Sequence, residues 1–142
     1  TSNFELFKVL IKKIGLIKAT IFSCNKLLIK LNIGIEDRVA ILAHNSDRYF
    51  EILYATSWAG GVFVPINTRL APPEIAFWIN DSESKIVFVD NNFADVVKKL
   101  QIEAKVPSVK EIIFISDEAV PEGMINFNEL IINFACLFIY RH

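Results

Sequence analysis

A mostly parallel α/β sheet flanked by helices is the fold class that this sequence predicts, and three observations carry it. Four short apolar runs, Arg38 to Ala43, Gly61 to Val64, Lys85 to Asp90 and Glu111 to Ile115, are separated by segments of helical character. The first of them, RVAILA, is apolar on both faces, which suits an interior strand covered by helices. Strand, helix and strand are complete between Arg38 and Val64, within the roughly thirty residues of a βαβ unit.

Taken in order, Phe4, Phe7, Ile11 and Ile14 recur at helical spacing with Lys8 and Lys12 on another face, and Gly15 is expected to interrupt this first helix. A second helix is expected from Ala19 to Leu31, stopped by Asn32 and Gly34, residues that tolerate a left-handed backbone. After the first strand, Asn45 or Ser46 caps a helix with Asp47 near its positive end. Tyr49, Phe50, Leu53, Tyr54 and Trp58 give that helix a broad apolar face before Gly60-Gly61 breaks it. Pro65 ends the second strand, and Ile66 to Pro73 is a loop centred on Asn67, Thr68 and Arg69. Glu74 to Asn80 turns helical, with Trp58 and Trp78 expected to pack inside. Asn91-Asn92 is a turn, Ala94 to Leu100 a short helix, and Lys105 to Ser108 a loop around Pro107. Ser116 to Gly123 is an acidic loop, and Ile125 to Leu130 either pairs briefly as a strand or begins a helix. The tail INFACLFIYRH has neither a clean period nor a turn.

Composition narrows the function classes. The chain has 142 residues, one ordinary domain or a piece of a larger one. Hydrophobic residues make up 53%, enough for a core. A net charge of −1 gives no global field that would draw the chain to nucleic acid. Lys8, Lys12, Lys13, Lys18, Lys26 and Lys30 gather near the start; a solvated face on a packed helix is the ordinary meaning, a membrane-surface helix the alternative. Cys24 and Cys136 form no CxxC or Cys/His cluster and read as small buried hydrophobes in a reducing, cytoplasmic setting. No secretory signal is expected, and the longest apolar run, Phe134 to Tyr140, is far short of the ~18 residues that span a bilayer.

Candidate chemistry is sparse. His44 sits just past a strand end, where α/β domains place ligand-binding residues; a loop histidine that helps cap the next helix is the plainer reading. His142 has no visible partner, so triads and histidine-rich metal sites have little material. Asp81, Glu83 and Asp90 lie near strand ends, where an acid/base pair is conceivable and surface carboxylates are common. Arg69 is suited to a phosphate or carboxylate, or to anchoring its loop through backbone carbonyls. Gly60-Gly61 is not a phosphate loop, because it lacks the Gly-rich run with Lys-Ser/Thr and precedes a strand rather than a helix. The aromatics have no interleaved basic residues, so core packing explains them better than nucleic-acid stacking.

One resemblance adds to this. The blocks LNIGIEDRVAIL from Leu31, Asn45-Ser46, WAGG from Trp58, VPINTRLAPPEI from Val64, and Asp81-Ser82 followed by Asp90 stand in order. Together they resemble the N-terminal part of the AMP-forming acyl-CoA synthetases of the adenylate-forming superfamily, with a lean toward fatty-acyl-CoA ligases. The resemblance implies an incomplete piece of the large N-terminal α/β domain of such enzymes. It divides the chain into a poorly matched helical lead-in (1–36), an α/β part of the AMP-binding synthetase/ligase domain (37–130) and an unmatched tail (131–142). Such enzymes join a carboxylic acid to coenzyme A through an acyl-adenylate and use ATP and Mg²⁺. Their Ser/Thr/Gly-rich phosphate loop and catalytic lysine lie downstream and have no counterpart here, so no catalytic, cofactor-binding or metal-binding residue is assigned to this chain. Glu36 stands where the family has glycine. The expected function is an N-terminal fragment of an acyl-CoA synthetase, inactive alone; the alternative is a non-enzymatic α/β module that binds an acyl chain or a partner protein. Neither nucleic acid nor a stable membrane span is expected, and peripheral membrane association is left open.

Overall fold

The computed structural model describes residues 2–132 and, among these, every side chain except those of Ser2, Asn3, Phe4, Phe7 and Ile11. Cys136, His142, the run Phe134 to Tyr140 and the proposed stripe of Phe4, Phe7 and Ile11 therefore lie outside what is described. The element order is α1 (Ser2–Lys30), β1 (Arg38–Leu42), α2 (Asp47–Trp58), β2 (Val62–Pro65), α3 (Pro72–Asp81), β3 (Ile86–Val89), α4 (Ala94–Ile102), β4 (Glu111–Phe114) and β5 (Ile125–Asn126). Residues 127–132 then turn helical, so both readings of the segment after Ile125 hold in succession.

The strands form one sheet in the order β2-β1-β3-β4-β5, and every pairing is parallel. Four apolar runs announced four strands; the fifth is only two residues long and carries an asparagine, too little for a pattern to register. Alternate strand residues point to opposite sides, which divides the interior into two cores. Val39, Ile41, Ile86, Phe88 and Ile113 meet Cys24, Leu27 and Leu28 of α1 and Ile52 and Ala55 of α2. Ala40, Leu42, Val87, Val89 and Ile112 meet Ile75 and Ile79 of α3 and Val97 and Leu100 of α4. The sheet is thus covered on both sides, as its apolar strands require.

Two helix readings are corrected. Gly15 does not interrupt: α1 runs unbroken for 29 residues, because a single helical glycine costs only about 1 kcal/mol relative to alanine. It ends as expected at Asn32, whose φ of 60° is left-handed. The apolar face of α2 is also not the aromatic one. Glu51, Ile52, Ala55 and Thr56 are buried, whereas Phe50, Tyr54 and Trp58 are 58 to 61% exposed. α2 is pressed against α1 and the sheet together, and a close double contact of this kind admits small and branched side chains rather than rings. Trp78 is exposed as well, so neither tryptophan packs inside; Trp58 only leans on Phe22, with ring centroids 5.9 Å apart.

Gly60 and Gly61 stop α2 for separate reasons. Gly60 is left-handed (φ +83°), and the Gly61 N–H donates to the Thr56 carbonyl at 3.0 Å. A Cβ on Gly61 would stand 3.1 Å from the Asp37 carbonyl oxygen and 3.2 Å from Ile33 and Thr56, so β2 starts where only glycine fits without displacement.

Candidate ligand edge of the sheet

In a doubly wound sheet of this order, the chain leaves β1 toward one helical layer and β3 toward the other. The loops after these neighbouring strands diverge, and the crevice between their carboxyl ends is where such folds bind ligands. His44, Asn45 and Ser46 follow β1, and Asp90, Asn91 and Asn92 follow β3. Two open hollows, each of about 400 Å³, flank the crevice, and His44 and Asn45 line both.

Asp90 holds this edge together. One carboxylate oxygen accepts from the His44 backbone N–H at 2.8 Å and lies 3.3 Å from His44 Nδ1; the other accepts from the Asn92 N–H at 2.9 Å. Asn92 Nδ2 also stands 3.2 Å from His44 Nδ1, and the imidazole rests against Phe93 with centroids 5.2 Å apart. The loop after β4 is tied in by Ser116, whose hydroxyl accepts from the Asn91 N–H at 3.0 Å and donates to Asn91 Oδ1 at 3.2 Å. Farther along, Arg48 donates to Glu51 at 2.9 Å and to Asn128 Oδ1 at 3.1 Å, and Asn128 donates to Asp117 at 2.7 Å. Burial raises the pKa of Glu51, with the Arg48 guanidinium opposing that rise.

This arrangement locks the loops after β1, β3 and β4 together. The His44–Asp90 pair could orient an imidazole, but a general base needs a nucleophile within hydrogen-bond reach. The Ser46 hydroxyl accepts from the Tyr49 N–H as the cap of α2, and Ser116 is engaged with Asn91. His44 is therefore no helix cap; it joins the β1 and β3 loops. Asp81 and Glu83, at the end of α3, sit at the opposite end of β3 from Asp90, so the three carboxylates do not converge. Arg69 is exposed and bonds no backbone carbonyl among the described residues; its own N–H donates to Asn67 Oδ1 at 2.9 Å, so Asn67 makes the turn. Among the described residues no cluster of three or more His, Cys, Asp or Glu side chains is placed to hold a metal ion. Asp90, Asp117 and Glu118 line the edge, and the guanidinium of Arg48 is bonded to Glu51 and Asn128. A hollow of about 750 Å³ lies between α3 and α4, away from the crevice, and Lys105 and Glu103 on its rim pair at 2.9 Å.

Sequence reasoning placed His44 and Asp90 at strand ends but missed Arg48, Asn92 and Asn128. The NSDR stretch with its buried Glu51 was the available signal, and nothing local pointed to Asn128, eighty positions from Arg48.

The sequence profile of the AMP-binding enzymes matches residues 20–132. The chain belongs to the AMP-binding enzyme family. Within this family it is 35% identical over 99 residues to a long-chain-fatty-acid–CoA ligase of Thermus thermophilus, covering 70% of this chain and 18% of that enzyme. It is 40% identical over 84 residues to the long-chain-fatty-acid–CoA ligase FadD13 of Mycobacterium tuberculosis, covering 59% of this chain and 17% of FadD13. Its AMP-binding fold superimposes on the N-terminal domain of FACL13 from Mycobacterium tuberculosis with a TM-score of 0.71 and 31% identity, covering 82% of this chain and 27% of that one. The anthranilate CoA ligase AuaEII shares the fold, with a TM-score of 0.76 at 23% identity over 82% of this chain and 22% of that one. The chain thus spans less than a fifth of the length of the curated ligases it matches, and its sheet corresponds to part of their N-terminal domain.

Proposed function

We propose that this chain is the scaffold-bearing first portion of an AMP-forming acyl-CoA synthetase that acts on a fatty acid in the cytoplasm. The complete enzyme would join acid and ATP with Mg²⁺ into an acyl-adenylate and pyrophosphate, after which the thiol of coenzyme A displaces AMP. In this reading residues 37–130 are the α/β part of the AMP-binding domain, residues 1–36 lead into it, and residues 131–142 are a tail that the resemblance leaves unmatched. The observation that carries the proposal is the 31% identity with the FACL13 N-terminal domain over a shared fold. Both serine hydroxyls at the described sheet edge are engaged, Ser46 with the Tyr49 N–H and Ser116 with Asn91, which supports a part that acts only with the remainder of the domain.

Two measurements test this. Residues 1–142, given Mg-ATP and a long-chain fatty acid, should release pyrophosphate at the background rate; turnover above background would sink the scaffold reading. A chimera that carries residues 20–132 in place of the matching segment of the Thermus ligase should still form acyl-CoA. A soluble, folded chimera that makes neither acyl-adenylate nor acyl-CoA would sink the assignment to acyl-CoA synthesis.

A further inference from the structure

The two halves of α1 live in different surroundings. From Thr20 onward it buries Thr20, Ser23, Cys24, Asn25, Leu27 and Leu28 against the body, whereas its described side chains from Glu5 to Leu16 are all exposed. At 1.5 Å per residue the exposed half is a rod of several turns. Leu6, Leu10 and Ile14 follow one another at four-residue steps along it, with Leu6 68% and Leu10 52% exposed, and Val9 and Leu16 widen the stripe.

Charge follows the helix. α1 holds six lysines and a single glutamate, which leaves nine basic and fifteen acidic residues in the rest of the chain. Its exposed half carries three of those lysines, Lys8, Lys12 and Lys13, against Glu5, so a net-basic rod projects from an acidic body. Lys8 pairs with Glu5 at 3.1 Å, Lys13 lies 4.0 Å from Asp47, and Lys12, Lys13 and Lys18 are exposed. Among the described residues no helix is long and apolar enough to cross a membrane, so this one would lie on a surface rather than span it.

We propose that the first half of α1 is a docking surface for an anionic lipid bilayer. Leucine and valine side chains enter the acyl boundary while neighbouring ammonium groups reach the lipid phosphates on flexible stems. The acidic body is repelled by the same phosphates, which turns the basic helix toward the membrane. This inference goes beyond the ligase reading and does not depend on it.

The test is flotation of residues 1–142 with phosphatidylcholine vesicles, with and without phosphatidylglycerol. The chain should rise only with the anionic vesicles, and added salt should release it. Lys12→Gln with Lys13→Gln should lower partitioning roughly tenfold or more, since each lysine near an anionic surface contributes a several-fold factor. Leu6→Ser with Leu10→Ser should abolish it. All four positions are exposed, so the thermal midpoint and far-ultraviolet spectrum should match the parent. No flotation, equal flotation on pure phosphatidylcholine, or unchanged flotation of both variants would overturn the proposal. So would a dimer in sedimentation that both variants dissolve without any vesicle binding, for then a second copy covers the stripe.

Discussion

The two ends of the parallel sheet are each fastened by one aspartate, and they are fastened differently. At the amino end, Asp37 receives the Gly34 N–H at 3.0 Å and the Lys85 ammonium, joining the approach to β1 with that to β3. Around it the chain is tight: a Cβ on Gly61 would stand 3.1 Å from the Asp37 carbonyl oxygen, and Glu36 is left-handed at φ 65°. At the carboxyl end, Asp90 receives backbone amides of His44 and Asn92, and the loops around it stay apart enough to leave two hollows. One end is closed by backbone contact, the other held open by side chains. Open space beside a fixed scaffold is what a ligand-facing edge requires, and the closed end supplies the stability.

This contrast can be broken at either end. Gly61→Val should be the most damaging change, because its methyls meet backbone and branched side chains with nowhere to yield. We expect a loss of about 3 kcal/mol, read from the urea midpoint. Asp90→Ala leaves two backbone amides without their acceptor and should cost about 2 kcal/mol. His44→Ala keeps the backbone tie and removes an exposed ring, so it should stay within about 0.5 kcal/mol; equal losses for the two would mean that the imidazole, not the amide, is what Asp90 holds. Glu36→Gly should stabilise by about 1 kcal/mol, since a side chain is strained in the left-handed region and glycine is not. A lower urea midpoint for this variant would show that the Glu36 side chain contributes more than its backbone costs.

The smallest effect is one of pH. The hydrogen bond from Lys85, helped by that from Gly34, holds the Asp37 carboxyl below its ordinary value of 3.8. Its contribution is complete above that ordinary value and fades as the pH falls through the lowered one. Glu51 has the opposite sign: its raised pKa lets the folded chain hold a proton more tightly, so stability falls as the pH rises above 4.5. Asp37→Asn should flatten the acid limb of a stability–pH curve and Glu51→Gln the limb above it. The reverse pattern would show that the environments have been exchanged.

Most of the scaffold was legible because its strands are uninterrupted apolar runs and its breaks are marked by Gly60, Pro65 and Asn32. The helix faces were less so. Hydrophobicity ranks Phe50, Tyr54 and Trp58 above Ala55 and Thr56, yet burial in α2 is set by how closely α1 and the sheet approach, which no local window reports. Gly15 misled for a related reason: helix continuity is decided by packing later in α1, not by one weak residue. At the candidate edge, His44 and Asp90 were visible as strand-end residues. Their pairing follows only from the strand order, which brings positions 46 apart into contact.

That strand order also shapes how the chain can be made. Val39 lies beside Phe63 on one side and Ile86 on the other, so β1 has no partner until a helix and a second strand have followed it. Among the described residues every strand pairing crosses a connection rather than closing a hairpin. During synthesis, β1 must therefore wait as an unpaired apolar segment for β2 to emerge, and its other edge waits for β3, a folding path dominated by long-range closure and correspondingly slow.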